Sequence, residues 1–302
     1  MPTDAHPDAD PDADPETDQA RSRALARLCG TFHNVSYYTP GIRRFADLGI
    51  PRYWHAYMAY RSAPVGIVPA PVVTALFFNF APRMVEEAIP TVWERLTPSD
   101  ALALRDAVVD RALRDSFGAV LDGDAVVRAA ALAREAIEDC DVVGRPLFAA
   151  HRAMPWPEAT HLQLFHACTL WREQRGDGHT AALVAAELDG VECHVLMAAR
   201  GVGNRDAILR IRGWTAEEWE TARARLERRG LVAPDGSATA AGRAYRAGVE
   251  AMTDRLSAEP RRRLGGAGCD ELITLLEPLV AHLVERGDVA DRWPPEPRRL
   301  PG

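Results

Sequence analysis

Six prolines, Pro51, Pro64, Pro69, Pro71, Pro82 and Pro90, cut residues 41–96 into pieces that can only be short. Proline has no N–H to offer a helix or a ladder, so each marks a first turn or a break. A many-cornered array of short helices is predicted there. Aromatic residues gather in and around this region, with Tyr37, Tyr53, Trp54, Tyr57, Tyr60, Phe77, Phe78 and Phe80 the main members. A cluster of this kind is core material. It is also interleaved with His33, His55, Arg61, Asn79 and Arg83, the few placed polar groups that a small-molecule pocket needs. His33, His55, Tyr60, Arg61 and Asn79 are therefore candidate substrate-binding residues.

The rest of the chain reads as helix almost throughout. Residues 1–20 repeat Pro-Asp-Ala-Asp with no large apolar residue and are expected to form a disordered acidic tail. From Arg21, Leu25, Leu28, Phe32 and Val35 form an apolar stripe up to Pro40. Thr97-Pro98-Ser99-Asp100 starts a long amphipathic helix, with Thr97 as cap. Another helix follows Asp122-Gly123-Asp124, and a third runs from Arg145 to Met154. The break at Pro155-Trp156-Pro157 is taken as a domain boundary. Further on come helices 204–212 and 215–229, the second with a capping box from Thr215 to Glu218. A short apolar segment with a Pro-Asp-Gly turn at 234–236, a helix over 240–256 and an amphipathic helix over 269–286 complete the pattern. Leu272, Leu275, Leu276, Leu279 and Leu283 suit the last helix to packing or dimerisation. The order helix, helix, small hairpin, helix is that of a winged helix-turn-helix. The expected fold is mainly α: a multi-helical domain over 21–154, a winged helix-turn-helix-like domain with a minimal β-hairpin over 155–290, and tails at 1–20 and 291–302.

Residues 159–202 hold the strongest candidate site. Leu162, Phe165, His166, Thr169 and Glu173 recur at three- and four-residue steps, so one helical face mixes apolar with ionisable groups. The run Arg175-Gly176-Asp177-Gly178-His179 suggests a corner, with Gly176 ending one helix and Asp177 capping the next. Glu173 and His179 are the candidate catalytic pair, and His166 and Arg175 candidate ligand contacts. Capping alone accounts for Gly176 and Asp177. His166 reads equally as a core histidine, and Glu173 with Arg175 as a solvated pair.

Charge and composition narrow the chemistry. All 36 cationic side chains counted under Lys+Arg are arginines, so lysine-based Schiff-base chemistry is excluded. The formal charge of −7 equals the seven acids of the first twenty residues, which leaves the body without the positive field that gathers nucleic acid. The five cysteines are odd in number with no CxxC pair, which predicts buried, reduced thiols and no zinc site. No apolar run approaches membrane length and no signal peptide is evident, so a cytoplasmic protein is expected. Nucleotide-binding loops and common hydrolase motifs are lacking, and neither cofactor nor metal is predicted.

Trp171 to Gly201, with 212–219, 228–232 and 70–82, resembles an actinobacterial helix-turn-helix family over about residues 21–286. The pieces ArgLeuGluArgArgGlyLeuVal and ThrAlaAlaGlyArg are similar to MarR-like regulators. A fainter resemblance links the chain to aziridine-forming, sulfate-eliminating proteins of azinomycin-type biosynthesis. These likenesses imply two functions. One is a MarR-like DNA-binding regulator or ligand sensor. The other is a cofactor-independent enzyme of secondary metabolism, in which Glu173 or His179 takes a proton from an amine while Arg61 or Arg175 holds an anionic group. Helix 215–229 begins Thr215-Ala216-Glu217-Glu218-Trp219-Glu220, and carboxylates at that end oppose a phosphate backbone. That weighs against nucleic acid as partner and toward a small molecule, with a homodimer or second subunit left open.

Overall fold

The computed structural model describes residues 14–290. The main helices in chain order are α1 (Pro15–His33), α2 (Tyr53–Ser62), α3 (Ala70–Phe77), α4 (Pro82–Ala88), α5 (Pro98–Phe117), α6 (Asp124–Ile137), α7 (Pro146–Arg152), α8 (Thr160–Ala185), α9 (Glu192–Ala199), α10 (Arg205–Arg212), α11 (Ala216–Arg228), α12 (Ala240–Leu256) and α13 (Glu259–Arg286). The fold is mainly helical. Among the described residues pairing is limited to one antiparallel bridge, Val232 with Ala238, so the expected hairpin shrinks to a single rung. No helix is long and apolar enough to cross a membrane.

The described residues divide into two compact units. The first comprises residues 14–39, 106–176 and 254–289, and the second 40–105 and 177–253. The chain passes from one to the other inside α5, α8 and α12. The boundary expected at Pro155–Pro157 therefore falls within the first unit. In that unit α13 packs on α1 and α6. Leu28, Phe32, Leu132, Phe165, Leu272 and Leu276 are among its core residues. Leu272, Leu276, Leu279 and Leu283 are buried there, so the leucine stripe read as a dimerisation face is mostly interior packing. In the second unit Leu183, Val195, Ile208, Trp219, Leu226 and Val249 join α9 to α12.

Local chemistry explains most element ends. Thr215 accepts from Glu218 N at 3.1 Å while Glu218 Oε2 accepts from Thr215 N at 2.8 Å, which completes the capping box. Thr97 and Asp100 make the same reciprocal pair at the start of α5. Gly213, left-handed at φ 76°, ends α10.

Two further expectations fail. The tail gives way to helix early: α1 begins at Pro15, capped by Asp14, and Asp18 and Gln19 bond to Arg261 and Asp254. The expectation for residues 1–13 and for the C-terminal tail lies outside the described residues. The corner at Gly176 does not exist. α8 runs unbroken through Arg175–His179, and neither Gly176 nor Gly178 is left-handed. Two helical glycines cost about 1 kcal/mol each. Burial of Leu164, Phe165, Leu170, Trp171, Ala182 and Leu183 along the same helix outweighs that. Asp177 is accordingly a buried mid-helix residue rather than a cap.

Candidate functional site

One face of α8 in the first unit carries His166, Thr169 and Glu173, all buried, with Glu173 at 0 % exposure. An ionised carboxylate withdrawn from water costs several kcal/mol unless it is partnered. Arg172 supplies a partner: its Nη1 donates to Glu173 Oε1. One turn before Glu173, the Thr169 hydroxyl donates to Phe165 O at 2.9 Å. Its single proton is thereby committed, so the 2.8 Å contact with His33 Nδ1 makes the imidazole the donor. His33 is thus held as the Nδ1–H tautomer, with the basic lone pair on Nε2.

Rings complete the arrangement. His33 stacks on Phe165 at 5.5 Å and meets Tyr37 edge-on at 5.1 Å. The Arg172 guanidinium lies 5.9 Å from the Tyr37 centroid, so Thr169, His33, Tyr37, Arg172 and Glu173 follow one another in a chain of contacts. Within it the Arg172 side chain alone reaches solvent appreciably, at 23 % exposure. Such a group can take up a proton on His33, compensate the resulting imidazolium with Glu173 and pair an incoming anion with Arg172.

Of the predicted residues, the structure bonds His33 to Thr169, one turn before Glu173 on α8, and it adds Tyr37, Thr169 and Arg172. Tyr37 stands four residues after His33, and Thr169 four before Glu173, spacings that mark helical neighbours. The other predicted residues are placed elsewhere. His166 meets Trp156 edge-on at 4.8 Å, and Arg134 covers the other ring's π-system at 4.4 Å. Arg175 pairs with Asp254 at 2.9 Å, where Arg23 and Gln19 also bond. Burial pushes the Asp254 carboxyl up, but Arg23 and Arg175 together outweigh it and hold the group below its ordinary value.

His179, in the second unit, shares the device seen at His33. Its Nδ1 bonds Thr253 Oγ1 at 2.9 Å, and Thr253 gives its proton to Val249 O. His55 is half-buried, and burial, then Arg52, lowers its pKa. Tyr60 packs edge-on against Phe45 at 4.6 Å. Arg61 covers Phe77 at 4.5 Å and donates to the Tyr57 hydroxyl. The carbonyl of Asn79 accepts from Trp214 Nε1 at 3.0 Å and His194 Nε2 at 3.2 Å. His194 was not anticipated as special; burial, then Arg212, pushes its pKa down to about 3, so it is a neutral structural donor. Among the described residues no group of three or more His, Cys, Asp or Glu side chains is gathered as metal ligands, and the five cysteines are buried and free.

Helix α11 follows α9 and α10, and most of its charges are cancelled within the second unit. Glu218 takes two 2.7 Å bonds from Arg83. Arg223 bonds Glu220 and Glu227, and Arg225 bonds Glu192 and Asp189. In the turn enclosed by the bridge, Asp235 accepts from the Ser237 backbone and hydroxyl.

Against known proteins, a family model described as a helix-turn-helix family matches residues 22–290. No curated protein and no solved structure matches.

Proposed function

The chain belongs to the helix-turn-helix family, and from that premise we propose that it has turned the scaffold to small-molecule chemistry at the His33–Glu173 cluster. The carrying observation is the wholly buried Glu173, one turn from the threonine that fixes the tautomer of His33. A purely structural carboxylate gains nothing from a neighbouring histidine with a dictated lone pair. A base that must accept a proton and then be charge-compensated does.

The reaction class that suits these groups is intramolecular displacement of an anionic leaving group by an amine. The nitrogen forms a bond to the carbon bearing the leaving group, and its N–H proton passes to His33 Nε2. The C–O bond breaks, and sulfate departs with the bonding electrons toward Arg172. Glu173 balances the imidazolium until the proton returns to solvent. Enforced geometry and a dry, charged surround supply the rest of the rate. Arg172 takes the anion-holding role first given to Arg61 or Arg175, because it is the partly exposed member of the cluster, while Arg175 bonds Asp254 and Arg61 belongs to the second unit. The faint likeness to aziridine-forming proteins of azinomycin-type biosynthesis fits this class.

The test uses 2-aminoethyl sulfate or a larger β-amino alkyl sulfate as probe, with release of inorganic sulfate as readout. Glu173→Gln and His33→Asn are each expected to reduce release about a hundredfold or more at a temperature where a parallel thermal melt shows the variant still folded. Undiminished release in both variants would sink the site.

The competing reading is a DNA-binding regulator, MarR-like or a ligand sensor, and the family's description is compatible with DNA binding. That reading is opposed by the acidic leading end of α11 and by the pairing of Arg223 and Arg225. Anisotropy titrations at physiological salt are expected to find weak binding without sequence preference. Nanomolar, sequence-selective binding would reverse the order of the two readings.

A further inference from the structure

The ionised groups of α11 follow a rule with two exceptions. Glu218, Glu220, Arg223, Arg225 and Glu227 all have ion-pair or hydrogen-bond partners within the second unit. Glu217 and Arg228 are exposed and make no ion pair among the described residues. They stand eleven positions apart, a separation of about 16 Å along the helix and about 20° around it, so they mark the two ends of one face. Between them on that face lie Thr221 and Ala224, both exposed and both small. The opposite face, Trp219, Ala222 and Leu226, is buried.

An isolated surface helix gains little from leaving opposite charges unpaired at its two ends when every other charge along it is matched. Two copies of the same face do gain. Laid antiparallel about a two-fold axis, they set Glu217 of each copy against Arg228 of the other, and Thr221 and Ala224 permit close approach at the crossing. We infer that α11 is a self-association helix, and that the occupant of this face is a second copy of the chain. One three-turn stripe does not reach the roughly 800 Å² per partner of a stable interface. The exposed loop 201–204 borders it, brought alongside by the Arg205–Glu220 contact at 3.4 Å, and contributes Val202 at 45 % exposure. The surface that a regulator would lay in a DNA groove is thereby given to a protein partner, a proposal independent of the chemistry assigned to His33 and Glu173.

Sedimentation velocity on the full chain across a concentration series is the direct test. The unaltered protein is expected to dimerise. Glu217→Arg and Arg228→Glu each place like charges at both ends of the crossing and are expected to weaken the dimer at least about tenfold. The double swap restores complementarity and is expected to recover the original association. Both swaps oppose the helix dipole, so Ala224→Gln, neutral and helix-compatible, serves as a second variant that blocks close approach and should also weaken the dimer. A monomer at every soluble concentration, or a dimer indifferent to all four variants, overturns the proposal. So does capture of duplex DNA that is lost on Arg228→Glu.

Discussion

Replacing Thr169 with Val isolates the contribution of one oxygen. The two side chains are nearly equal in volume and both are β-branched, so the change opens no cavity and disturbs no rotamer. What is lost is the oxygen that donates to Phe165 O at 2.9 Å and accepts from His33 Nδ1 at 2.8 Å. The Phe165 carbonyl keeps its main-chain helical partner, so the cost falls on a buried imidazole N–H left without an acceptor. That cost is about 1–3 kcal/mol, reduced somewhat by the extra buried methyl. For a chain of this size each kcal/mol moves the melting temperature by about 2 °C, so a fall of about 2–5 °C is expected. Function should suffer more than stability. Without the threonine, His33 is free to carry its proton on Nε2, the atom required to be basic, and sulfate release should drop about a hundredfold. Thr169→Ser retains the oxygen and should restore both quantities to near their original values. The assays are a thermal melt, the release assay, and nitrogen-15 NMR of the His33 ring, which reads the protonated nitrogen directly. If the Val variant melted with the parent and His33 still carried its proton on Nδ1, the tautomer argument would be refuted.

Two further outcomes follow from other parts of the molecule. A Cβ on Gly242 would sit 1.9 Å from the Leu231 carbonyl oxygen, so Gly242→Ala should destabilise by more than about 3 kcal/mol through backbone displacement; a urea midpoint equal to the parent's would show that the approach of Leu231 to α12 is not as close as described. The twin bonds from Arg83 hold the Glu218 carboxyl down to about 2 from 4.5. Because the folded-state pKa is the lower one, the stabilisation is present above pH 4.5 and is lost as pH falls toward 2. Arg83→Ala should therefore flatten the pH dependence of the urea midpoint in that window, and an unchanged slope would show that the pair contributes nothing.

The features legible in the sequence were those set by chemistry within one turn. The caps at Thr97 and Thr215 could be read because a short polar side chain and a neighbouring N–H meet in any context. The corner at Gly176 was misread because glycine only permits a break; whether one occurs depends on what packs along the helix on either side. Helix at residues 15–20 was invisible for a related reason, since its partners Asp254 and Arg261 lie far along the chain. Of the site, His33 and Glu173 were found from the mixed character of their surroundings. Arg172 was not, because adjacent residues on a helix point about 100° apart, and spacing rules give no cause to pair it with Glu173. Arg175 looked like the better fork on sequence grounds and belongs instead, with Arg23 and the Gln19 amide, to a cradle around Asp254.

The interleaving of the two units has a consequence for how the polypeptide acquires its structure. The first unit joins stretches from the beginning, middle and end of the described chain, and a single hydrogen bond within it, Gln19 to Asp254, spans 235 positions. Loop closure on that scale must be met before the contacts that reward it exist, which slows folding. During synthesis α1 emerges long before α13, against which it packs, so its apolar stripe of Leu25, Leu28 and Phe32 waits uncovered. Residues 40–105 and 177–253 also cannot be cut out as one continuous piece. A truncation made to isolate the helix-turn-helix segment would sever α8 or α12 and orphan the middle strand of the first unit's thread, so the nascent chain has a long interval in which chaperone binding or aggregation competes with closure.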